Sequence, residues 1–370
     1  MNRIWRRLAH GVLGLMLLAF AVSCIGRGSA SALSSRTAST VRQHDWAPGS
    51  INHETERAYQ WLKTQCAEPA GLDNVRAVLN STDQELQVNT ANLLIRLRQD
   101  GVVDDTILVD VIPVLAQDAV NGDTTTREKA IVAIANATSG ILVPDYYGAV
   151  STTLGETTVA NLTRETIDAL ATSLASREGK IPEYSAHVLS SFGTQAGTAL
   201  PALRQLLTDP DPATRLEAAV AAANVAPSDA AEAVPVIVEG LNNTGFVTLR
   251  QRGVMALALI GPGAAEATPC LLAMIASGDR SLGMEAAQTL GAIEPPEDQT
   301  ISYLVSLLSS EDPNVRLVAV SALRYQGAKA VSAVSELERL RQEPVAEVRN
   351  GAADAIDAIH SAVPESQAAE

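Results

Sequence analysis

Asp312-Pro313-Asn314-Val315-Arg316-Leu317-Val318-Ala319-Val320-Ser321-Ala322-Leu323 is the stretch from which the fold is read. Its Asp-Pro step marks a helix start, because proline fits the first helical position, where its missing N–H has no partner anyway. Ala319, Val320 and Leu323 lie three, four and seven places after Arg316 and so share one helical face. The phrase returns at Asp211-Pro212-Ala213-Thr214-Arg215-Leu216-Glu217-Ala218. Outward from these two copies, the arginine position aligns Gln87, Arg127, Pro182, Arg215, Arg250, Gly283, Arg316 and Arg349. Three places on stand Thr90, Ala130, Ser185, Ala218, Gly253, Ala286, Ala319 and Ala352, all small. Seven places on stand Leu94, Ile134, Leu189, Ala222, Leu257, Leu290, Leu323 and Ile356, all apolar.

A second set of markers precedes these helices. Pro201, Pro235 and Pro269 are spaced 34 apart, and each opens an apolar stretch. Each unit is therefore a first helix, a polar turn such as Glu311-Asp312-Pro313, and a second helix. Composition agrees: 46% of the 370 residues are hydrophobic but only 3% aromatic, and alanine, the best helix former, is abundant. The expectation is an all-α fold, a right-handed α-solenoid of about eight hairpins of roughly 33 residues each. Ankyrin and tetratricopeptide units share this length, but neither the Thr-Pro-Leu-His signature nor the Trp/Tyr/Phe pattern is present.

The phrase Asp-Pro-x-x-Arg-x-x-Ala in Asp211–Ala218 and Asp312–Ala319 resembles the HEAT repeat. It is closest to the short HEAT-like units of the phycobilin-lyase type, over roughly residues 70 to 362 and most clearly from 199 on. That resemblance implies the fold and is almost silent about function. It also implies a structural ladder, in which the acid of the inter-helix turn and the arginine of the second helix join neighbouring units. Asp209 with Arg215 and Glu343 with Arg349, each pair six apart, are the expected pairs, with Arg250 and Arg316 in the same column. The opposing reading of the arginines, a stripe for an anionic ligand, is weaker because acids accompany them.

The expected boundaries are a signal or lipoprotein signal segment at 1–32, a linker at 33–50, and an N-terminal capping helix at 51–70. The array follows at 71–362, and then a disordered tail at 363–370. Arg3, Arg6 and Arg7 before the apolar run Leu8–Ile25 mark an export signal. Three fates are open: lipidation of Cys24 after the lipobox-like Ala21-Val22-Ser23, ordinary cleavage at Ala30-Ser31-Ala32, or retention as an anchor. The expected location is the periplasm or cell envelope, attached to the membrane if Cys24 is lipidated or the segment is retained and released if it is cleaved. Arg127 to Pro182 exceeds one period by about 22 residues. The excess is assigned to an insertion loop at 139–162 with room for a short helix, carrying Asp145, Tyr146 and Tyr147 as candidate partner anchors.

Chemistry-bearing constellations are sparse. The net charge of −15 repels phosphate backbones and argues against nucleic acid. The only His-Glu step is His53-Glu54, so the resemblance does not extend to HEAT-repeat di-iron hydroxylases. His187 has no second histidine nearby. Cys66 and Cys270 lack metal spacing or a histidine partner and are read as free thiols. No phosphate-binding glycine loop or nucleophile elbow occurs. No cofactor, metal or catalytic residue is assigned. The function expected is a non-catalytic protein-interaction scaffold. The alternative is a ligand carrier or lyase-like enzyme using a pocket closed by the 139–162 loop.

Overall fold

In a computed structural model the structure describes residues 53–139, 154–242, 247–295 and 297–362. The chain divides into two compact units, Met1–Phe192 and Gly193–Glu370. Among the described residues both are built from helices alone, joined in pairs and stacked in series, the solenoid arrangement.

The first unit opens with α1 (His53–Cys66), followed by the hairpins α2/α3 (Pro69–Leu79, Gln84–Gln99), α4/α5 (Leu108–Asn121, Thr124–Thr138) and α6/α7 (Glu156–Ser173, Ile181–Ser191). Second helices pack side by side, α3 on α5 and α5 on α7, while α4 packs on α6 in the other layer. Helix α1 lies against α2 and α3. Trp61 of this capping helix is half-buried. Ala58, Tyr59 and Leu62 are the fully buried residues there. The Tyr59 hydroxyl donates to Asp100 Oδ2 at 2.6 Å, and the Arg96 guanidinium stacks 4.5 Å above the ring.

The insertion loop expected at 139–162 is shorter than its sequence suggests. Glu156–Leu162 is helical and forms the start of α6. Thr157 and Thr158 are poor helix formers, but Leu162, Thr163, Thr166, Ile167 and Leu170 bury one continuous face. Packing of that face against α4 overrides the local preference. Residues 140–153, with Asp145, Tyr146 and Tyr147, lie outside the described residues, as do the signal segment, the linker, Cys24 and the 363–370 tail.

The second unit holds five hairpins: α8/α9 (Leu200–Leu206, Pro212–Val225), α10/α11 (Val234–Leu241, Val247–Ile260), α12/α13 (Thr268–Ile275, Arg280–Ala292), α14/α15 (Glu297–Leu307, Pro313–Gln326) and α16/α17 (Val334–Leu340, Ala346–Ala362). Pro201, Pro235 and Pro269 each stand in the first turn of a first helix. Second helices stack in order from α9 to α17. The small column and the column seven places on are buried in every hairpin, from Thr90 and Leu94 to Ala352 and Ile356. Small side chains let adjacent helices approach, and the larger ones fill the space between hairpins. Leu249–Ile275 is apolar and long enough to cross a membrane by length and composition. Here it is split between α11 and α12 by a turn at Gly261, which has φ +67°.

Connections between hairpins follow a second rule. Gly193, Gly261 and Gly327 adopt positive φ, and each starts a 3₁₀ segment (Gly193–Ala199, Gly261–Ala267, Gly327–Ala333). Side chains three apart eclipse in a 3₁₀ turn, so one face needs a small residue every third place. Alanine supplies it: Ala196/Ala199, Ala264/Ala267 and Ala330/Ala333 are all fully buried.

Candidate functional site

The motif that first suggests a binding stripe is built from two helix-end solutions. The first turn of a helix leaves N–H groups without partners, and the last turn leaves carbonyls. Asp83, Asp123, Asp211, Asp279 and Asp312 stand four places before the arginine position and cap the second helices. Their carboxylates accept from the backbone N–H of Leu86, Thr126, Thr214, Leu282 and Asn314 at 2.7–3.1 Å. The amide of Thr126 donating to Asp123 holds that carboxyl below its ordinary range.

The arginine reaches back to carbonyls at the end of the preceding helix or in the turn. Arg215 Nη1 donates to the carbonyls of Asp209 (2.9 Å) and Pro210 (3.2 Å). Arg316 Nη1 does the same with Ser310 (2.6 Å) and Glu311 (3.0 Å), and Arg349 Nη1 with Glu343 (2.7 Å). In the first unit Arg127 Nε meets the Ala119 carbonyl at 3.0 Å, and Gln87 Nε2 meets that of Leu79 at 2.8 Å. A glutamine can replace the arginine because the essential act is donation to an orphan carbonyl, which a neutral amide performs as well.

This corrects the expected ladder in its partners. Asp209 meets Arg215 through its backbone oxygen, and its carboxylate accepts from the Asp211 N–H. Glu343 likewise offers Arg349 its carbonyl, while its carboxylate takes Arg316 Nη2 of the preceding hairpin at 2.7 Å. Arg215 Nη2 pairs with Glu239, at 2.6 Å. Glu239 closes a first helix and Glu343 stands in an inter-helix turn, so the carboxylates share no column and no spacing reveals Glu239. Arg250 sits beside Cys270, whose thiol is pushed up by burial and drawn partly back by that guanidinium. Cys66 is likewise free and pushed up by burial. His187 is half-buried on α7.

A further polar column, two places after the arginine position, went unread although the alignment contains it. Glu217, Arg252 and Glu285 alternate in sign on α9, α11 and α13. Arg252 Nη1 pairs with the buried Glu217 at 2.6 Å, and Gln251 Nε2 donates to Glu285 at 3.2 Å. In the first unit Lys129 of α5 pairs with Glu85 of α3 at 3.3 Å. Past this column Met255, Leu259 and Tyr325 are exposed, alongside Gln288 and Arg324. Among the described residues no group of three or more His, Cys, Asp or Glu side chains could hold a metal.

Residues 167–258 match the family model of HEAT repeats. No curated protein matches the chain. One crystal structure of an engineered protein is 21% identical, covering 85% of this chain and 97% of its own, at a TM-score of 0.46. A second engineered protein is 19% identical, covering 79% and 97%, at a TM-score of 0.29. The matched stretch includes the Asp211–Arg215 cap-and-reach motif, which Asp312–Arg316 repeats in its own hairpin beyond it. The chain is an all-α solenoid whose residues 167–258 match HEAT repeats.

Proposed function

We propose that this chain is a non-catalytic scaffold of the cell envelope that holds another protein on its stacked helices. HEAT repeats commonly serve as protein-interaction scaffolds. The observation that carries the reading is the division of labour among its polar residues. The arginine and aspartate columns spend their hydrogen bonds on helix ends and neighbouring hairpins, and large apolar side chains stand exposed on the second-helix face. Such a surface suits a macromolecular partner, since a small-molecule site needs convergent polar groups in an enclosed pocket. The location rests on the basic n-region and apolar run at the N-terminus, and Cys24 is the proposed lipidation point.

Chemical crosslinking in intact envelopes, followed by capture of the chain, tests the scaffold. A single protein enriched in stoichiometric amount is expected. Capture of nothing, or turnover of a small molecule by the purified chain, overturns it. Intact mass of the membrane fraction tests the anchor: a diacylglyceryl group on Cys24 is expected, and an N-terminus at Leu33 contradicts it.

A further inference from the structure

We infer that Arg280 and Glu347 form a clasp that sets the curvature of the last three second helices and opens as salt rises. This goes beyond the scaffold reading and does not depend on it. Arg280 opens α13 and Glu347 stands in the first turn of α17, with α15 packed between the two helices. The two residues are 67 apart, two repeat periods, yet Arg280 Nη1 meets Glu347 Oε2 at 2.8 Å. The pairs Glu217–Arg252, Gln251–Glu285 and Arg316–Glu343 each join adjacent hairpins instead. In a flat row, helices packed about 9 Å apart would place α13 and α17 roughly 18 Å apart. An arginine and a glutamate close such a gap only if the row is drawn together and bends toward the face that carries them.

Packing draws the row together. A Cβ on Gly283 of α13 would lie 3.1 Å from Val318 Cγ1 of α15, and one on Gly291 would lie 2.9 Å from Tyr325 Cβ. On the far side, a Cβ on Gly351 of α17 would touch Leu317 and Val320 of α15 at 3.4 and 3.5 Å. Glycine therefore faces α15 from both neighbours, and α13 and α17 approach it closely. Few side chains interlock at such contacts, so the outer helices can shift on α15 by small steps. The pair itself is 53% and 61% exposed. An exposed pair biases an equilibrium by about fivefold at most and is screened by salt. It therefore balances a tighter arc against a wider one and does not lock either. Arg316, 14% exposed and bonded to Glu343 and two carbonyls, holds adjacent hairpins together in both. On a scaffold, an adjustable arc fits the second-helix face to partners of different curvature.

The test measures the distance from α11 to α17 by pulsed electron paramagnetic resonance in the full chain, with Cys24, Cys66 and Cys270 replaced by serine. Nitroxide labels go on Met255→Cys and Asp354→Cys, exposed at equivalent positions of the two helices. At low salt, Arg280→Ala is expected to lengthen that distance by about 2–4 Å. Exchange of the two charges, Arg280→Glu with Glu347→Arg, is expected to restore it. Sodium chloride at about 1 M is expected to lengthen it when the clasp is intact or exchanged, and to leave Arg280→Ala unmoved. Melting temperatures within roughly 4 °C across the series are expected, which separates a change of arc from unfolding. A distance indifferent to Arg280→Ala, a charge exchange that fails to restore it, or an equal salt response in Arg280→Ala overturns the clasp. None of these measurements involves a partner, so their failure leaves the scaffold reading standing.

Discussion

Glu294 occupies a position that its neighbours reserve for glycine. Gly261 and Gly327 lie 33 residues to either side, and all three have positive φ, Glu294 at +48°. A side chain there raises the energy of the left-handed backbone by about 1 kcal/mol. Glu294→Gly is therefore expected to stabilise the chain slightly, the greater freedom of glycine when unfolded offsetting about half of the gain, and to raise the melting temperature by roughly 1–2 °C. A lowered melting temperature would contradict the assignment. Asp118 is a second residue under stress. It is 2% exposed on α4, its Oδ2 has no hydrogen-bond partner, and burial pushes its carboxyl up from 3.8 to about 6. Between those values the folded chain holds a proton that the unfolded chain has released. Stability from this group thus falls as pH rises from about 4 to about 6, by on the order of 2 kcal/mol. Asp118→Asn is expected to remove that slope in urea titrations across the window. A slope unchanged by the substitution would place its origin elsewhere.

At the scale of the helix, close approach sets the tolerances. A Cβ on Gly240 of α10 would stand 2.5 Å from Leu216 Cδ2 of α9. Gly240→Ala is expected to destabilise by about 1–3 kcal/mol, although alanine favours the helix, because overpacking exceeds the propensity gain. A stabilised Gly240→Ala chain would show that this interface is loose. Which elements could be read in advance follows from the same physics. Proline, the arginine position and the small column repeat every 33–35 residues in the second unit because each answers a geometric demand that recurs in every hairpin. The 3₁₀ connections recur at Gly193, Gly261 and Gly327, but their buried alanines at every third place are masked in a chain where alanine is everywhere. The start of α6 was hidden differently: Glu156-Thr157-Thr158 has loop character, and only the buried face beginning at Leu162 makes it helical. Of the ladder, the arginine side was readable and the carboxylate side was not, since Glu239 and Glu343 come from different places in their hairpins. The exposed Met255, Leu259 and Tyr325 were out of reach because apolar residues read as core until their exposure is known.

At the scale of the whole molecule, stability in a repeat array is a sum over hairpins and their neighbours. A local change should therefore spread to adjacent hairpins and fade. Hydrogen exchange in Glu294→Gly is expected to slow in α11–α17 and to stay unchanged in α2–α6 of the first unit. Uniform slowing throughout the chain would indicate a single cooperative body. The same logic separates frame from function. Arg127, Arg215 and Arg316 tie their hairpins to the next, and the exposed apolar side chains of the second helices are free to bind.

Melting of Arg316→Ala tests that separation most directly. Arg316 is 14% exposed and serves the carbonyls of Ser310 and Glu311 and the carboxylate of Glu343. Its loss leaves those acceptors without their cation, at a cost of about 3 kcal/mol. The predicted result is a fall in melting temperature of roughly 6–12 °C, with capture of the envelope partner intact below the transition. An unchanged melting temperature with lost capture would contradict the account and make the arginine column the binding site.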